Sequence, residues 1–304
     1  MAAFNAEKFI QYALQSALNQ TYQNFELIVI GDCCTDNTEQ VVKSFNDPRV
    51  HWHNLPQNIG SQGIPNKEGL CRARGDYIAY LSHDDLWFPW HLETSLQYLT
   101  EHNYDWIHSA GFGLLPENQI EYIGAVPAGL NYQSFFIGPS SWFHRRGIVE
   151  QSGNWRHHNQ SLSYIDQDLQ IRIAKNGFSQ GANSEPSIIK FYAPLWKTLS
   201  KDLQIFPQES SYKQLETNPL AYQNTLLKQA ITQYGQNDTA RLSGKVSWYE
   251  LAKIATWRPL RRLTRQWLLG QALDGNTLIA YLLVRRMQRV RRTRAKRTGE
   301  LEHH

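Results

Sequence analysis

The sequence predicts an α/β fold, in which a Rossmann-like, mixed and mostly parallel sheet is flanked by helices and followed by a helical extension. Apolar runs of strand length alternate with helical segments over the first hundred residues, which favours a parallel sheet covered on both faces. Two of these runs end in acidic clusters, "DCCTD" and "SHDD". Beyond about residue 200 the chain is polar and helical, then amphipathic and basic.

The elements of the first hundred residues follow from hydrophobic spacing and from helix-end signals. Residues 5–20 show helical spacing, and "FELIVIG" (25–31) is an apolar run closed by Gly, as in a buried strand. Thr35 or Asp36 caps the next predicted helix. A strand at 50–55, a helix at 64–75, a strand at 76–81 and a helix beginning near Pro89 complete this part.

After residue 100 the pattern loosens. It predicts strands at 104–115 and 121–126, then a strand, turn and short helix over 139–153, then a polar loop at 154–164. A helix over 165–177 begins with Asp166 and Asp168, which suit the positive end of the helix dipole.

Composition excludes several classes of protein. At 304 residues, with 12% aromatic and 19% charged residues, the chain is globular and large enough to bury a core. Three cysteines are too few for a disulfide framework, which favours a reducing compartment. The start lacks the features of a secretory signal, and no window of about 18 apolar residues exists. These observations predict a cytoplasmic protein, and "LEHH" (301–304) resembles an expression-tag remnant.

The positive charge is concentrated near the C-terminus. Residues 285–297 carry eight basic residues and no acidic one, whereas the whole chain has a net charge of +4. The body is therefore mildly acidic, so no specific nucleic acid is expected as a partner. The alternation of apolar and basic residues over 257–297 has two interpretations. One is an amphipathic helix on an anionic membrane surface, which would make the protein peripheral at the inner membrane face. The other is a helical hairpin packed on the main domain.

Both acidic clusters are expected at one edge of the sheet, because ligands of such sheets lie outside the carboxyl ends of the strands. Metal binding, acid–base chemistry and helix capping all remain open for "SHDD" on these residues alone.

Three stretches together resemble the inverting family 2 glycosyltransferases of the GT-A fold: "SALNQTYQNFELIVIGDCCTDNTEQVV", "ARGDYIAYLSHDDLW" and "IDQDLQIRIAKNG". The resemblance covers about residues 3–195. It implies a catalytic domain at 1–198 and a helical, basic region at 199–300. It also implies inverting transfer of a sugar from a nucleotide-diphosphate sugar, with a UDP-sugar as the first choice of donor. The acceptor would be a glycan or a lipid-linked molecule in polysaccharide or cell-envelope glycan synthesis.

The resemblance also implies roles for individual residues. Asp84, with Asp85 beside it, would hold Mg²⁺ or Mn²⁺ on the diphosphate. Asp166 would be the general base that takes the proton of the acceptor hydroxyl. Trp155, His157 and His158 are candidates for an acceptor pocket. The candidates for donor binding are Phe4, Asn5, Glu7, Asp32, Lys67 and Ser82. Phe4 as a core aromatic and Lys67 as a solvated lysine are the alternative interpretations.

The sequence departs from the family pattern at several places. Gly31, Ser82 and Ile165 stand where carboxylates are usual, and the first strand is expected to be missing ahead of Phe4. These departures keep two other functions open. One is a catalytically weak nucleotide-sugar binder, and the other is a scaffold or nucleic-acid-binding protein that acts through the basic tail.

Overall fold

The computed structural model describes residues 1–115, 118–124, 138–161, 164–192 and 207–242, with side chains described as far as residue 233. The chain divides into two compact units, 1–127 with 136–233 and 128–135 with 234–304. Except for the end of the last helix, every element below belongs to the first unit. The predicted basic region 257–297 and the tag remnant lie outside the described residues.

Nine strands and eight α-helices make up the described part of the chain. The strands are β1 (Ala2–Ala3), β2 (Leu27–Gly31), β3 (Val50–Asn54), β4 (Tyr77–Ala79), β5 (Leu86–Trp87), β6 (Trp106–Leu114), β7 (Ile120–Ile123), β8 (Trp142–Arg145) and β9 (Gln180–Phe191). The helices are α1 (Ile10–Leu18), α2 (Thr38–Ser44), α3 (Gly63–Arg72), α4 (His91–Glu101), α5 (Ile148–Gln151), α6 (Ile165–Lys175), α7 (Pro207–Thr217) and α8 (Pro219–Leu242).

The strands form two hydrogen-bonded ladders. The first has the order β1-β2-β3 and is parallel throughout. The second has the order β4-β8-β6-β9-β5, with β7 on β6, and in it only β6 and β9 run parallel. The strand arrangement is therefore mixed: the N-terminal ladder is wholly parallel, as the alternating pattern predicted, and the long β6–β9 pair of the second ladder is parallel as well.

Several element boundaries differ from the sequence prediction for local reasons. The first helix begins at Ile10 because Asn5 adopts a left-handed conformation, with φ of 43°, and residues 7–9 form a turn. The third helix ends at Arg72 because Ala73 is already extended. The long strand β9 was not predicted, although "SIIKF" at its end is apolar around a single lysine.

The core holds unusually large aromatic side chains and buried histidines. Trp106, Trp142 and Trp155 are each at most 2% exposed. The Trp155 ring stacks on Trp142 at 5.6 Å between centroids, and its Nε1–H donates to the Tyr80 hydroxyl at 3.1 Å. His144 Nε2 lies 3.2 Å from the same hydroxyl. These aromatics therefore rigidify the strands that carry the site. Among the described residues no helix is long and apolar enough to cross a membrane.

Candidate active site

The turn between β4 and β5 carries the Ser82–Asp85 cluster. Asp85 is 0% exposed, and its two carboxylate oxygens accept three hydrogen bonds from other elements. Ser140 Oγ donates at 2.5 Å and Lys190 Nζ at 3.1 Å to Oδ2, and the Phe191 amide donates at 2.9 Å to Oδ1. Asp85 thus fastens the turn to β9 and to the 3₁₀ turn 139–141.

Asp84 lies one residue earlier and is only half-buried. Burial, followed by the charge of Asp85, raises the pKa of the Asp84 carboxyl, while His83 and Lys190 act against this rise. His83 Nδ1 lies 3.0 Å from the Ala2 carbonyl oxygen, to which it donates, and its ring stacks on Phe9. The histidine therefore links the turn to the end of β1.

Lys190 on β9 is the central cation of the site, and the sequence prediction missed it. Burial lowers the pKa of its ammonium, but the charges of Asp85 and Asp84 outweigh this effect and the pKa is raised. Asp166 also acts on it electrostatically. Two neighbouring carboxylates of the turn and a third at the start of α6 therefore act on one lysine, whose ammonium bonds to Asp85.

Asp166 stands in the first turn of α6 and is 7% exposed. Its Oδ1 accepts from the Gln167 amide at 3.0 Å, and its Oδ2 lies 3.4 Å from Gln62 Nε2. Burial raises the pKa of the Asp166 carboxyl, against the opposing effects of these hydrogen bonds and of Lys190. A carboxylate with a raised pKa is a stronger base than one in water, which suits proton abstraction from a hydroxyl. Asp168, by contrast, forms an ion pair with Arg172 at 2.9 Å.

Asp32 follows β2 and is 5% exposed. Its oxygens accept from the backbone amides of Ile59 at 2.8 Å and Gly60 at 2.9 Å. Its own amide donates to Ala3 on the neighbouring strand at 2.7 Å. Asp32 therefore holds the loop 58–60 against the ends of the first two strands.

The residues that follow β1 divide into two groups. Phe4 is 45% exposed at the end of the strand, which excludes the alternative that it is a core aromatic. Asn5 Oδ1 accepts from the Thr35 amide, and Glu7 Oε2 accepts from the amide and side chain of Asn37. Asn5 and Glu7 therefore order the loop after β2, while Phe4 leaves a ring face open to a ligand.

Two predicted residues lie away from this cluster. Trp155 is 2% exposed in the aromatic core, so it does not line an open acceptor pocket, and that prediction is corrected. Burial of the large indole and its hydrogen bond to Tyr80 explain the position. Lys67 is exposed on α3, as expected for a solvated lysine.

The acceptor side of the site has other candidates. His157 is half-buried, and its ring lies 4.2 Å from that of His158. Tyr164 is 76% exposed, two residues before Asp166, and the sequence prediction did not assign it. The signal in the sequence was the position of Tyr164 directly before the helix that carries Asp166.

The carboxylates of the turn after β4 are compatible with one hard metal cation. Asp84 offers a carboxylate that is only half-buried, whereas both oxygens of Asp85 are already engaged. Within the described residues no group of three His, Cys, Asp or Glu side chains is arranged to hold a metal ion. Mg²⁺ fits such a place, because it is usually bound by one or two carboxylates, with phosphate oxygens and water as the remaining ligands.

Comparison with known proteins relates the N-terminal part of the chain to a family. Residues 1–112 match the model described as glycosyl transferase family 2. The chain is 35% identical over 101 residues to the putative teichuronic acid biosynthesis glycosyltransferase TuaG of Bacillus subtilis, covering 33% of this chain and 40% of TuaG. It is 31% identical over 132 residues to WfgD of Escherichia coli, a UDP-Glc:alpha-D-GlcNAc-diphosphoundecaprenol beta-1,3-glucosyltransferase, covering 43% and 51%. The chain thus spans about half the length of these relatives, or less.

Solved structures share the fold. S. aureus TarS 1–349 in complex with UDP-GlcNAc superposes with a TM-score of 0.56 and 17% identity, over 84% of this chain and 76% of TarS 1–349. The UDP complex gives a TM-score of 0.53 and 18% identity, over 86% of this chain and 80% of TarS 1–349. The predicted GT-A fold is therefore confirmed, and so is the family resemblance carried by residues 1–112.

Proposed function

We propose that this chain, a family 2 glycosyltransferase by its residues 1–112, transfers a sugar from a nucleotide-diphosphate sugar to an acceptor hydroxyl. One observation carries the proposal: Lys190 bonds to Asp85, beside Asp84 on the turn after β4, and the charges of Asp84 and of Asp166, at the start of α6, both act on its ammonium. This arrangement combines a carboxylate at a sheet edge with a buried base, which direct displacement at a sugar carbon requires.

The donor is proposed to lie across the ends of β1, β2 and β4. The open ring of Phe4 offers a face for the nucleobase, and Asp32 with loop 58–60 forms the floor beside it. Ser82 would hydrogen-bond a ribose hydroxyl or a metal-bound water. A UDP-sugar is the first choice, supported by the UDP and UDP-GlcNAc complexes of TarS and by the UDP-Glc named for WfgD.

Asp84 would hold Mg²⁺ or Mn²⁺, which when bound would offset the charge that develops on the leaving diphosphate. Asp85 would hold the turn that carries Asp84 in place, because its own oxygens already accept hydrogen bonds within the protein. The Lys190 ammonium balances part of the negative charge of the three carboxylates, so their close approach costs less in the absence of ligand.

Asp166 would act on the acceptor. Its carboxylate takes the proton of the attacking hydroxyl, while the oxygen approaches the sugar carbon on the face opposite the leaving group, so the configuration inverts. The names of TuaG and WfgD support a cell-envelope glycan or a lipid-linked saccharide as the acceptor.

The test is sugar transfer or donor hydrolysis with a panel of nucleotide sugars and Mn²⁺. Asp166→Asn keeps the size of the side chain but removes the base, and we expect a loss of about 10²-fold or more. Asp84→Ala is expected to weaken donor and Mn²⁺ binding together, as measured by calorimetry.

Glu216→Gln on the exposed face of α7 is the matched control and retains full activity. Asp166→Asn with unchanged turnover would exclude Asp166 as the base. Donor binding without turnover in the unaltered chain would favour a nucleotide-sugar binder.

A further inference from the structure

A short segment, residues 58–63, connects the carboxylate that follows β2 with the start of α6. At one end, Asp32 accepts hydrogen bonds from two successive backbone amides of the segment, at 2.8 and 2.9 Å. At the other end, the Gln62 Nε2 atom lies 3.4 Å from Asp166 Oδ2 and donates to it. This bridging segment therefore touches both the carboxylate on the donor side of the site and the proposed base.

The bridging segment is held at both ends. The Asn58 side chain donates to the Asp32 carbonyl oxygen at 2.9 Å. Gly63 is buried at the start of α3, where an added Cβ would overlap the Arg156 carbonyl oxygen and lie 3.1 Å from Ile165 Cγ2. Only a residue without a Cβ permits so close an approach. The start of α3 therefore lies directly against the residue that precedes the proposed base.

The Gln62 contact acts on the Asp166 carboxylate itself. The Gln167 amide donates to Oδ1 at 3.0 Å, so two donors hold two different oxygens and fix the rotation of the carboxylate. The 3.4 Å separation at Gln62 exceeds that of an ordinary hydrogen bond, as catalytic hydrogen bonds often do before substrate binds. Burial raises the pKa of the Asp166 carboxyl, whereas the Lys190 ammonium and the Gln62 amide act against this rise.

We propose that Gln62 is a positioning residue that directs the Asp166 carboxylate towards the acceptor hydroxyl, and that the bridging segment fixes this direction relative to Asp32. The inference rests on the proposed function, because Gln62 has this role only if Asp166 is the base. A base must point at the proton that it takes, and a small error in its placement slows the reaction strongly. The same segment would thus set the geometry on the donor side and on the acceptor side of the site.

Gln62→Met tests the proposal, because it keeps the approximate length of the side chain and removes the N–H donor. We expect kcat for sugar transfer to fall about tenfold with an unchanged donor KM, since a misdirected base slows the reaction without weakening donor binding. We also expect the acidic limb of the pH profile of kcat to move to higher pH, because the carboxylate loses a donor that favours its charged form. Gln57→Met, on an exposed side chain earlier in the same loop, is the matched control and retains full activity.

A titration of the Asp166 carboxyl, followed by NMR of its carboxyl carbon, checks the contact without any turnover. The signal is identified by its absence from Asp166→Asn. We expect a higher titration midpoint in Gln62→Met than in the unaltered chain or in Gln57→Met. A higher midpoint together with no sugar transfer by the unaltered chain would reject the proposed function and still support the contact between Gln62 and Asp166.

An unchanged midpoint in Gln62→Met would overturn the proposal, because Gln62 would then not act on Asp166. So would a kcat and a pH profile equal to those of the unaltered chain. An equal fall of kcat in Gln57→Met would also overturn it, since the effect would then belong to the loop as a whole.

Discussion

Lowering the pH is expected to destabilise the fold through three buried histidines. His91, His108 and His144 are each 0% exposed, and burial lowers their pKa values to about 3, 4 and 4. In the unfolded chain the same side chains have pKa values of about 6.5. As the pH falls below 6.5, the unfolded state binds protons that the folded state rejects, so stability present above 6.5 is lost progressively towards pH 4.

The magnitude follows from the linkage relation. Each neutral histidine costs about 1.4 kcal/mol of stability per pH unit below 6.5, hence about 2 kcal/mol by pH 5. Three histidines together remove about 6 kcal/mol, comparable to the whole stability of a typical domain. The buried Met1 amine acts in the same direction, whereas Asp84 and Asp166, with raised pKa values, oppose it.

Urea unfolding between pH 7.5 and 5 measures this loss. His91→Phe provides the specific check, because it keeps the ring that stacks on Trp87 at 4.5 Å and gives up the single hydrogen bond to Ser187. We expect the variant to lose stability less steeply with falling pH, by about 1.4 kcal/mol per pH unit. A loss below about 1 kcal/mol across the range in the unaltered protein, or the same slope in His91→Phe, would show that the buried histidines do not cause the loss of stability at low pH.

Two further predictions concern the site. Lys190→Met leaves the buried Asp85 without its cation and should cost about 3–5 kcal/mol of stability, whereas Lys190→Arg should recover most of that stability. Chemical unfolding and UDP-sugar titration measure both variants, and equal stability of all three proteins would contradict the central role of Lys190. Tyr164→Ala removes an exposed ring before Asp166 and should raise the acceptor KM about tenfold, with the donor KM unchanged and the stability within about 0.5 kcal/mol of that of the unaltered protein. Tyr164→Phe is the control, and an unchanged acceptor KM in Tyr164→Ala would exclude a role of Tyr164 in acceptor binding.

Most of the strand and helix order of the first hundred residues, and the resemblance of residues 1–112 to family 2 glycosyltransferases, followed from the amino-acid sequence. Local signals carry this information. The run "FELIVIG" contains the fully buried strand β2, and the strand-end clusters put Asp32 directly after β2 and Asp84 on the turn after β4. The position of Asp166 at a helix start also followed from its motif.

Which of these residues act together depends on contacts between elements that are distant along the chain. Lys190 lies 105 residues from its partner Asp85, and no local pattern relates the two positions. The exposure of Phe4 and the burial of Trp155 depend on which neighbours cover each ring, and spacing along the chain does not report this. The separate roles of Asp84 and Asp85 have the same origin. Two adjacent carboxylates look alike in sequence, but Ser140, Lys190 and Phe191 arrive from distant elements and occupy only one of them.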